Sequence, residues 1–169
     1  MKKIILNMQI VCTECVQLPT EDHFARWLEA IVIFFKFKKS PEVTIRIVDS
    51  TESKALNLRY RGKHRATNIL SFSYDQPNIN SFNISFLGDL VICGSLVEKE
   101  AKQQQKRLRE YWAHMVIHGS LHLLGYDHLQ LDQAKHMEII ETKIMKNIGY
   151  SDPYQGRNII FNKIEDNGN

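Results

Sequence analysis

The segment "FLGDLVIC", Phe86 to Cys93, determines which architecture we expect for this chain. Its apolar end is unbroken, which is typical of a strand covered on both faces rather than of one with a solvent face. A strand of this kind lies within a sheet against which helices pack. We therefore expect residues 86–93 to form an interior strand of a layered domain. The flanking segments indicate which elements surround it.

Three segments before residue 86 also have strand character. Residues 4–11 alternate loosely between apolar and polar side chains. The segment "VTIRIV", residues 43–48, is β-branched and alternating, which predicts a strand with one buried face. "NILSFS", residues 68–73, predicts another strand, and a polar loop over 75–85 leads from it to residue 86.

Helical periodicity predicts five helices. The first opens at Thr20 and carries an apolar stripe of Phe24, Trp27, Leu28, Ile31, Val32 and Phe35. The second begins at Asp49, which should form a capping box with Glu52, and ends before Gly62. The remaining three follow over residues 96–107, 111–124 and 131–148. These elements predict an α+β fold, with a mixed sheet of about four strands packed with about five helices.

The 169 residues fit one domain, because they contain no internal repeat and no long linker. We place this domain at residues 1–150 and expect a loosely ordered C-terminal tail over 151–169, where Pro and Gly precede a polar end. The composition, 43% hydrophobic and 24% charged, is that of a soluble globular protein. No segment approaches the ~20 apolar residues of a spanning helix, so a membrane partner is not expected.

The chain has three cysteines, an odd number that does not suit a disulfide framework in a protein of this length. We therefore expect a cytoplasmic location. Cys12 and Cys15 form a CxxC, but a zinc ribbon needs a second pair and a redox motif needs a helix start after a strand. Neither context is present. We therefore assign this pair no function.

The seven residues "RYRGKHR" concentrate positive charge in a chain whose net charge is only +3. The arginine fork of Arg61 can hold two oxygens of a phosphate, and Gly62 beside it allows a ligand close to the backbone. Arg59, Lys63 and Arg65 would bind neighbouring phosphates. The alternative is an ordinary solvated face.

Four of the seven histidines fall in the stretch from residue 114 to residue 128. His118 and His122 are four residues apart, so they project from one helix face and can bind the same ion. Gly125 suits the conformation that ends a helix and would return His128 as a third ligand. The string HxxxHxxGxxH has the spacing of metzincin zinc sites. Three imidazoles leave an open coordination position, which favours a catalytic ion over a structural one.

The residue after the first histidine is Gly119, whereas metzincins have a glutamate there that serves as general base. A glycine cannot accept a proton from water. His114 lies about 12 Å along the helix axis from His122, which is too far for both to bind one ion. We therefore expect His114 to pack beside a ligand or support it rather than to be a fourth ligand. Asp127 is a candidate for orienting an imidazole or touching substrate, with an ordinary turn role as the alternative.

Taken in order, "YRGK…TNILSF", "LGDLVIC" and "HGSLHLLGYDH" resemble the YbeY family of bacterial endoribonucleases. The resemblance implies a metal-dependent RNA phosphodiesterase directed at single strands. It places the metal on His118, His122 and His128 and makes Arg61 important for activity. It also implies a role in ribosomal RNA maturation, particularly of the small-subunit 3′ end, and in removal of defective ribosomes.

We therefore expect a single catalytic metal-binding domain with its metal site at the end of a central helix and one zinc ion per chain. The expected partners are single-stranded RNA, ribosomal RNA and ribosome-associated proteins, and not DNA. Two alternatives stay open: a metallopeptidase-like hydrolase with an unrecognised base, and a non-catalytic ribosome-assembly factor with a structural zinc.

Overall fold

A computed structural model describes residues 4–74 and 85–155 of the chain. In these ranges the chain forms four strands and five helices, and the expected α+β class is confirmed. In chain order the elements are β1 Ile5–Ile10, α1 Glu21–Phe34, β2 Glu42–Val48, α2 Ser50–Arg61, β3 Ile69–Ser73, β4 Phe86–Cys93, α3 Gly94–Gln103, α4 Leu108–Leu123 and α5 Leu131–Asn147.

The sheet is mixed, with strand order β1-β2-β4-β3. β1, β2 and β4 run parallel, and β3 runs antiparallel to β4 at the edge. Leu90 in β4 lies opposite Ile45 of β2 and Ser71 of β3. β4 is covered on both faces, as its unbroken apolar end predicts: Val91 packs in a small cluster that includes Leu56 of α2, whereas Leu90 belongs to the main core.

The main core lies between the sheet and the helices α1, α4 and α5. Phe24 sits at its centre and makes edge-to-face contacts with Trp27 and Trp112, with ring centroids 5.3 and 5.6 Å apart. Such pairs add about 0.5–1.5 kcal/mol each to the gain from burying the rings. α4 contacts α1, α3, α5, β3 and β4, and most of its side chains are buried. It is therefore the central helix of the fold.

The predicted capping box between Asp49 and Glu52 is wrong. Asp49 is the N-cap of α2, but its side chain makes no capping hydrogen bond. Instead its carboxylate accepts hydrogen bonds from the backbone amides of Thr13 and Glu14, at 2.8 and 2.9 Å. Glu52 pairs with Arg46 across 2.7 Å. Both carboxylates therefore bind partners that the tertiary fold brings close, instead of the first turn of α2.

The boundary between the third and fourth predicted helices also differs from the structure. α3 ends at Gln103 rather than near residue 107, because Gln105 adopts a positive φ of 55° and Lys106 returns its amide to the carbonyl of Ala101. α4 then starts at Leu108, one turn earlier than expected. The apolar pattern alone did not indicate this sharp turn.

Of the predicted C-terminal tail, residues 151–155 belong to the described ranges and contact the helices. The Lys106 ammonium donates to the carbonyl of Pro153 at 2.6 Å, and the Tyr154 hydroxyl donates to Glu141. Residues 156–169 and the loop residues 75–84 lie outside the described ranges. Of the helices in the described ranges, none has both the length and the apolar character that crossing a membrane requires.

Candidate metal centre

Three histidines converge at the C-terminal end of α4. His118 and His122 lie one turn apart, and their Nε2 atoms are 3.1 Å from each other. The helix ends at Leu123 with Leu124 as its C-cap, Gly125 takes a positive φ of 94°, and the chain turns back. His128 then faces both other rings, with centroid distances of 5.5 and 4.9 Å. One ligand atom from each of the three residues lies within 4.8 Å of the others.

In His118 and His122, the Nδ1 atom of the ring donates a hydrogen bond to an acceptor away from the other histidines. His118 Nδ1 lies 2.8 Å from Glu141 Oε1, and His122 Nδ1 lies 3.0 Å from the carbonyl oxygen of Tyr126. A carboxylate and a carbonyl can only accept, so each Nδ1 carries a proton, and in its neutral form each ring presents a lone pair at Nε2. The two Nε2 atoms are 3.1 Å apart, close enough for one proton or one metal ion to lie between them.

The protonation states agree with this donor set. Burial lowers the pKa of His122 to about 4, and the neighbouring His118 and His128 contribute to that decrease. Burial also lowers the pKa of His128, with His118 and Arg61 adding to the effect. Neutral imidazole is the form that binds metal, so both rings are ready for a metal at neutral pH. The residues present fit a zinc ion.

Sequence reasoning missed Glu141, a residue of α5 whose side chain is only 1% exposed. Its carboxylate accepts hydrogen bonds from His118 Nδ1, from His114 Nε2 at 2.5 Å and from the Tyr154 hydroxyl. Burial alone would raise its pKa, but the bonds from the two histidines hold the pKa well below its usual range. Glu141 is thus an ionised acceptor that orients the His118 imidazole from the side away from the other two histidines.

His114 and Asp127 lie next to the three histidines without joining them. His114 is 7% exposed and bonds to Glu141, so it contacts His118 through that carboxylate. Its Nδ1 is buried without a hydrogen-bond partner in the described part of the chain. Asp127 accepts a 2.7 Å hydrogen bond from the backbone amide of His128, while the His128 ring nitrogen lies 3.9 Å from the same oxygen. Its main contact therefore stabilises the turn that delivers His128.

A cavity of about 710 Å³ opens in front of the three histidines. Arg61, at the end of α2, lines it together with residues 68–72 of the edge strand region. Arg59, Lys63 and Arg65 do not line it. Arg59 places its guanidinium 5.3 Å from the centroid of the Tyr60 ring, and the other two are exposed in the turn that follows α2. The structure thus brings Arg61 to the histidines and leaves the other three cations outside the cavity.

Gly119 lies where α4 packs against the sheet. A Cβ atom at this position would overlap the Ile69 side chain and lie 3.0 Å from Leu90 Cδ2. The Gly119 carbonyl also accepts a 3.0 Å hydrogen bond from Ser71 Oγ. Side chains of β3 and β4 therefore fill the space that a glutamate would need at the position of the metzincin base.

Two comparisons with known proteins bear on the family and the fold of this chain. The sequence model of the family described as Endoribonuclease YbeY matches residues 10–149, which include Arg61, the three histidines and Glu141. The solution structure of TM1509 from Thermotoga maritima is similar in fold, with a TM-score of 0.52 and 22% sequence identity over 86% of this chain and 97% of that one. At this identity the likeness shows the fold alone. The family match spans most of the chain, and the resemblance noted from the sequence is confirmed: the chain belongs to the YbeY family of endoribonucleases.

Proposed function

We propose that this protein is a zinc-dependent endoribonuclease that cleaves single-stranded RNA during ribosomal RNA processing. The substrate we propose is the 3′ end of the small-subunit RNA, with a further role in ribosome quality control alongside ribosome-associated proteins in the cytoplasm. One observation carries the proposal: three imidazoles, each with a ring nitrogen within 4.8 Å of the others, share a cavity with the guanidinium of Arg61.

His118, His122 and His128 would hold the single zinc ion. When bound there, zinc supplies Lewis acidity toward a phosphoryl oxygen and makes a nucleophile available at neutral pH. Glu141 and the carbonyl of Tyr126 keep two of the rings in the tautomer that binds metal. Both contacts come from groups of the chain itself, so the fold holds these two rings in an orientation that suits metal binding.

Arg61 would bind the phosphate that is cut. Its guanidinium can donate two parallel hydrogen bonds to phosphate oxygens, and these bonds strengthen as negative charge accumulates during cleavage. Arg59, Lys63 and Arg65, exposed around it, would bind phosphates on either side. Contacts of this kind provide affinity without reading the base sequence.

The first test is the variant His118→Ala. The wild-type protein should carry one zinc per chain by elemental analysis, and the variant should lose both the zinc and cleavage of labelled small-subunit RNA, by about a thousandfold or more. His136→Ala, an exposed histidine on α5, is the matched control and should retain both. Full cleavage by a metal-free His118→Ala protein would overturn the proposal.

A chelator separates this function from a structural zinc. The core around Phe24, Trp27 and Trp112 does not include the three histidines, so the metal-free protein should keep its circular dichroism spectrum at 25 °C while cleavage stops. Melting on chelation would instead favour the assembly-factor alternative. Incubation with casein in parallel should show no proteolysis, because no glutamate follows His118.

A further inference from the structure

We propose that Tyr60, supported by Phe72, forms a stacking site for one unpaired nucleobase at the rim of the cavity. This inference rests on the proposed function, since it takes RNA as the substrate. It adds a second kind of contact to the phosphate contacts described above: a flat aromatic surface that receives a base.

Tyr60 is placed where a base next to the bound phosphate would pass. It immediately precedes Arg61 on α2, and both side chains line the same cavity as the three histidines. The Tyr60 side chain is 56% exposed, and its hydroxyl has no hydrogen-bond partner among residues 4–74 and 85–155. Burial in the protein core therefore does not account for this ring, and a large aromatic area is open to a ligand.

The Tyr60 ring is supported by an edge-to-face contact with Phe72. The Phe72 ring meets it at 69°, with centroids 5.1 Å apart. Phe72 in turn packs against the cluster of Val48, Leu70 and Val91. A ring that is already fixed loses little conformational freedom when a ligand binds, so more of the stacking energy appears as affinity.

The charges around Tyr60 fit a nucleotide strand. Arg59 lies over one face of the ring at 5.3 Å and Arg61 follows Tyr60 directly in the chain, so the aromatic residue stands between two cations in the sequence. Proteins that bind single strands combine such cations with aromatic side chains on which bases stack. A base in a duplex is already stacked and paired, so this site would accept only unpaired RNA and contribute to selectivity for single strands.

The test uses a set of short single-stranded RNAs in which one base at a time is replaced by hydrogen. With zinc-loaded wild-type protein, one replacement close to the cleaved bond should lower kcat/KM roughly tenfold, the typical value of one stacked base. The Tyr60→Leu variant should cleave intact RNA roughly tenfold more slowly and should no longer respond to that replacement.

Tyr74→Leu is the matched control. Tyr74 is exposed to a similar extent, 53%, and meets Phe86 edge to face, but it does not line the cavity. This variant should keep the response to the missing base. Tyr60→Phe preserves the ring and should also keep the response; loss of the response in this milder variant would contradict stacking on the ring.

The outcomes separate the stacking site from the proposed function. If wild-type protein cleaves RNA but no base replacement matters, or if Tyr60→Leu responds as Tyr74→Leu does, the stacking site is wrong and the endoribonuclease function stands. If wild-type protein loaded with zinc cleaves no single-stranded RNA, both proposals fail.

Discussion

A single buried carboxylate, Glu141, connects the three converging histidines to the C-terminal end of the described chain. It receives hydrogen bonds from His118, His114 and Tyr154, which come from α4 and from the segment after α5. An ionised carboxylate has enough lone pairs for all three donors. The orientation of His118 therefore depends on residues well beyond the histidine motif.

Replacing Glu141 by Gln should weaken zinc binding by about 10- to 100-fold, the usual cost of losing such a supporting contact. The amide offers one oxygen and one NH₂ group, so at least one of the histidine N–H donors would face another donor. Competition against a chromophoric chelator measures the affinity. Glu29→Gln, the same change on α1, should bind zinc normally; equal affinity of both variants would mean that packing alone orients His118.

The histidines were predictable from sequence and Glu141 was not, for a physical reason. The spacing of His118, His122 and His128 follows from one helix and one turn, so it is visible within eleven residues. Glu141 is 23 residues from His118 and reaches it only through the packing of α5 on α4. One sequence feature could have indicated it: the residue lies on the apolar face of α5, four after Met137 and three before Ile144.

Among the secondary-structure elements, the loop between β1 and α1 is attached to two other parts of the fold. Asp49, before α2, accepts from the amides of Thr13 and Glu14. Glu98, on α3, accepts from the amides of Val16 and Gln17. The hydrogen bonds from Glu14 and Thr13 hold the pKa of Asp49 below its usual value, so this attachment is present at neutral pH and is lost as the pH falls below the lowered pKa.

The variant Asp49→Ala should accelerate amide hydrogen exchange at Thr13 and Glu14, because their acceptor is removed. Exchange followed by mass spectrometry or NMR measures the effect. Glu52→Gln is the informative control, since Glu52 contacts Arg46 and not this loop. Protection of Thr13 and Glu14 that survives in Asp49→Ala would show that the loop is held by other contacts.

Element positions were predicted well where the pattern is local, and poorly where long-range contacts compete. β4 was expected over residues 86–93 and is observed there. The side-chain roles of Asp49 and Glu52 were wrong because the partners of Asp49 lie 35 and 36 residues away along the chain. The order of the strands could not be predicted either, because the pairing of β2 with β4 joins segments with no local relation.

At the scale of the whole molecule, the site lies at one side of a well-packed core. α4 runs through the centre of the fold and its C-terminal end reaches the cavity beside β3. Its buried residues fix the helix, and its last turn presents the histidines. Stability of the fold and metal binding are therefore coupled chiefly through the histidines and Glu141.

The metal-free protein should lose stability as the pH falls from about 6.5 toward 4. The pKa of His122 is about 4 in the folded protein and near 6.5 when unfolded, so between these values the unfolded chain binds more protons. His128 has a pKa lowered in the same direction. Urea unfolding of metal-free protein at pH 7, 6 and 5 should give a midpoint urea concentration that becomes lower as the pH becomes lower.

The control for this pH effect is His122→Asn, which removes one titrating ring and should show a smaller decrease over the same range. Glu141 does not contribute between pH 7 and pH 5. Its lowered pKa changes the free energy of unfolding only at pH values near and below the usual pKa of glutamate. A midpoint that stays constant or increases between pH 7 and pH 5 would contradict the lowered pKa values of His122 and His128.

The close packing at Gly119 has a consequence for the history of this histidine arrangement. A glycine codon can become a glutamate codon by one nucleotide change, which would complete the string H-E-x-x-H found in peptidases. Here that mutation would push a carboxylate into Ile69 and Leu90 and displace Ser71 from its carbonyl partner. The tips of the Ile69 and Leu90 side chains would have to move before a glutamate could fit, so the step from this histidine arrangement to the peptidase string would disturb the packing of α4 on the sheet.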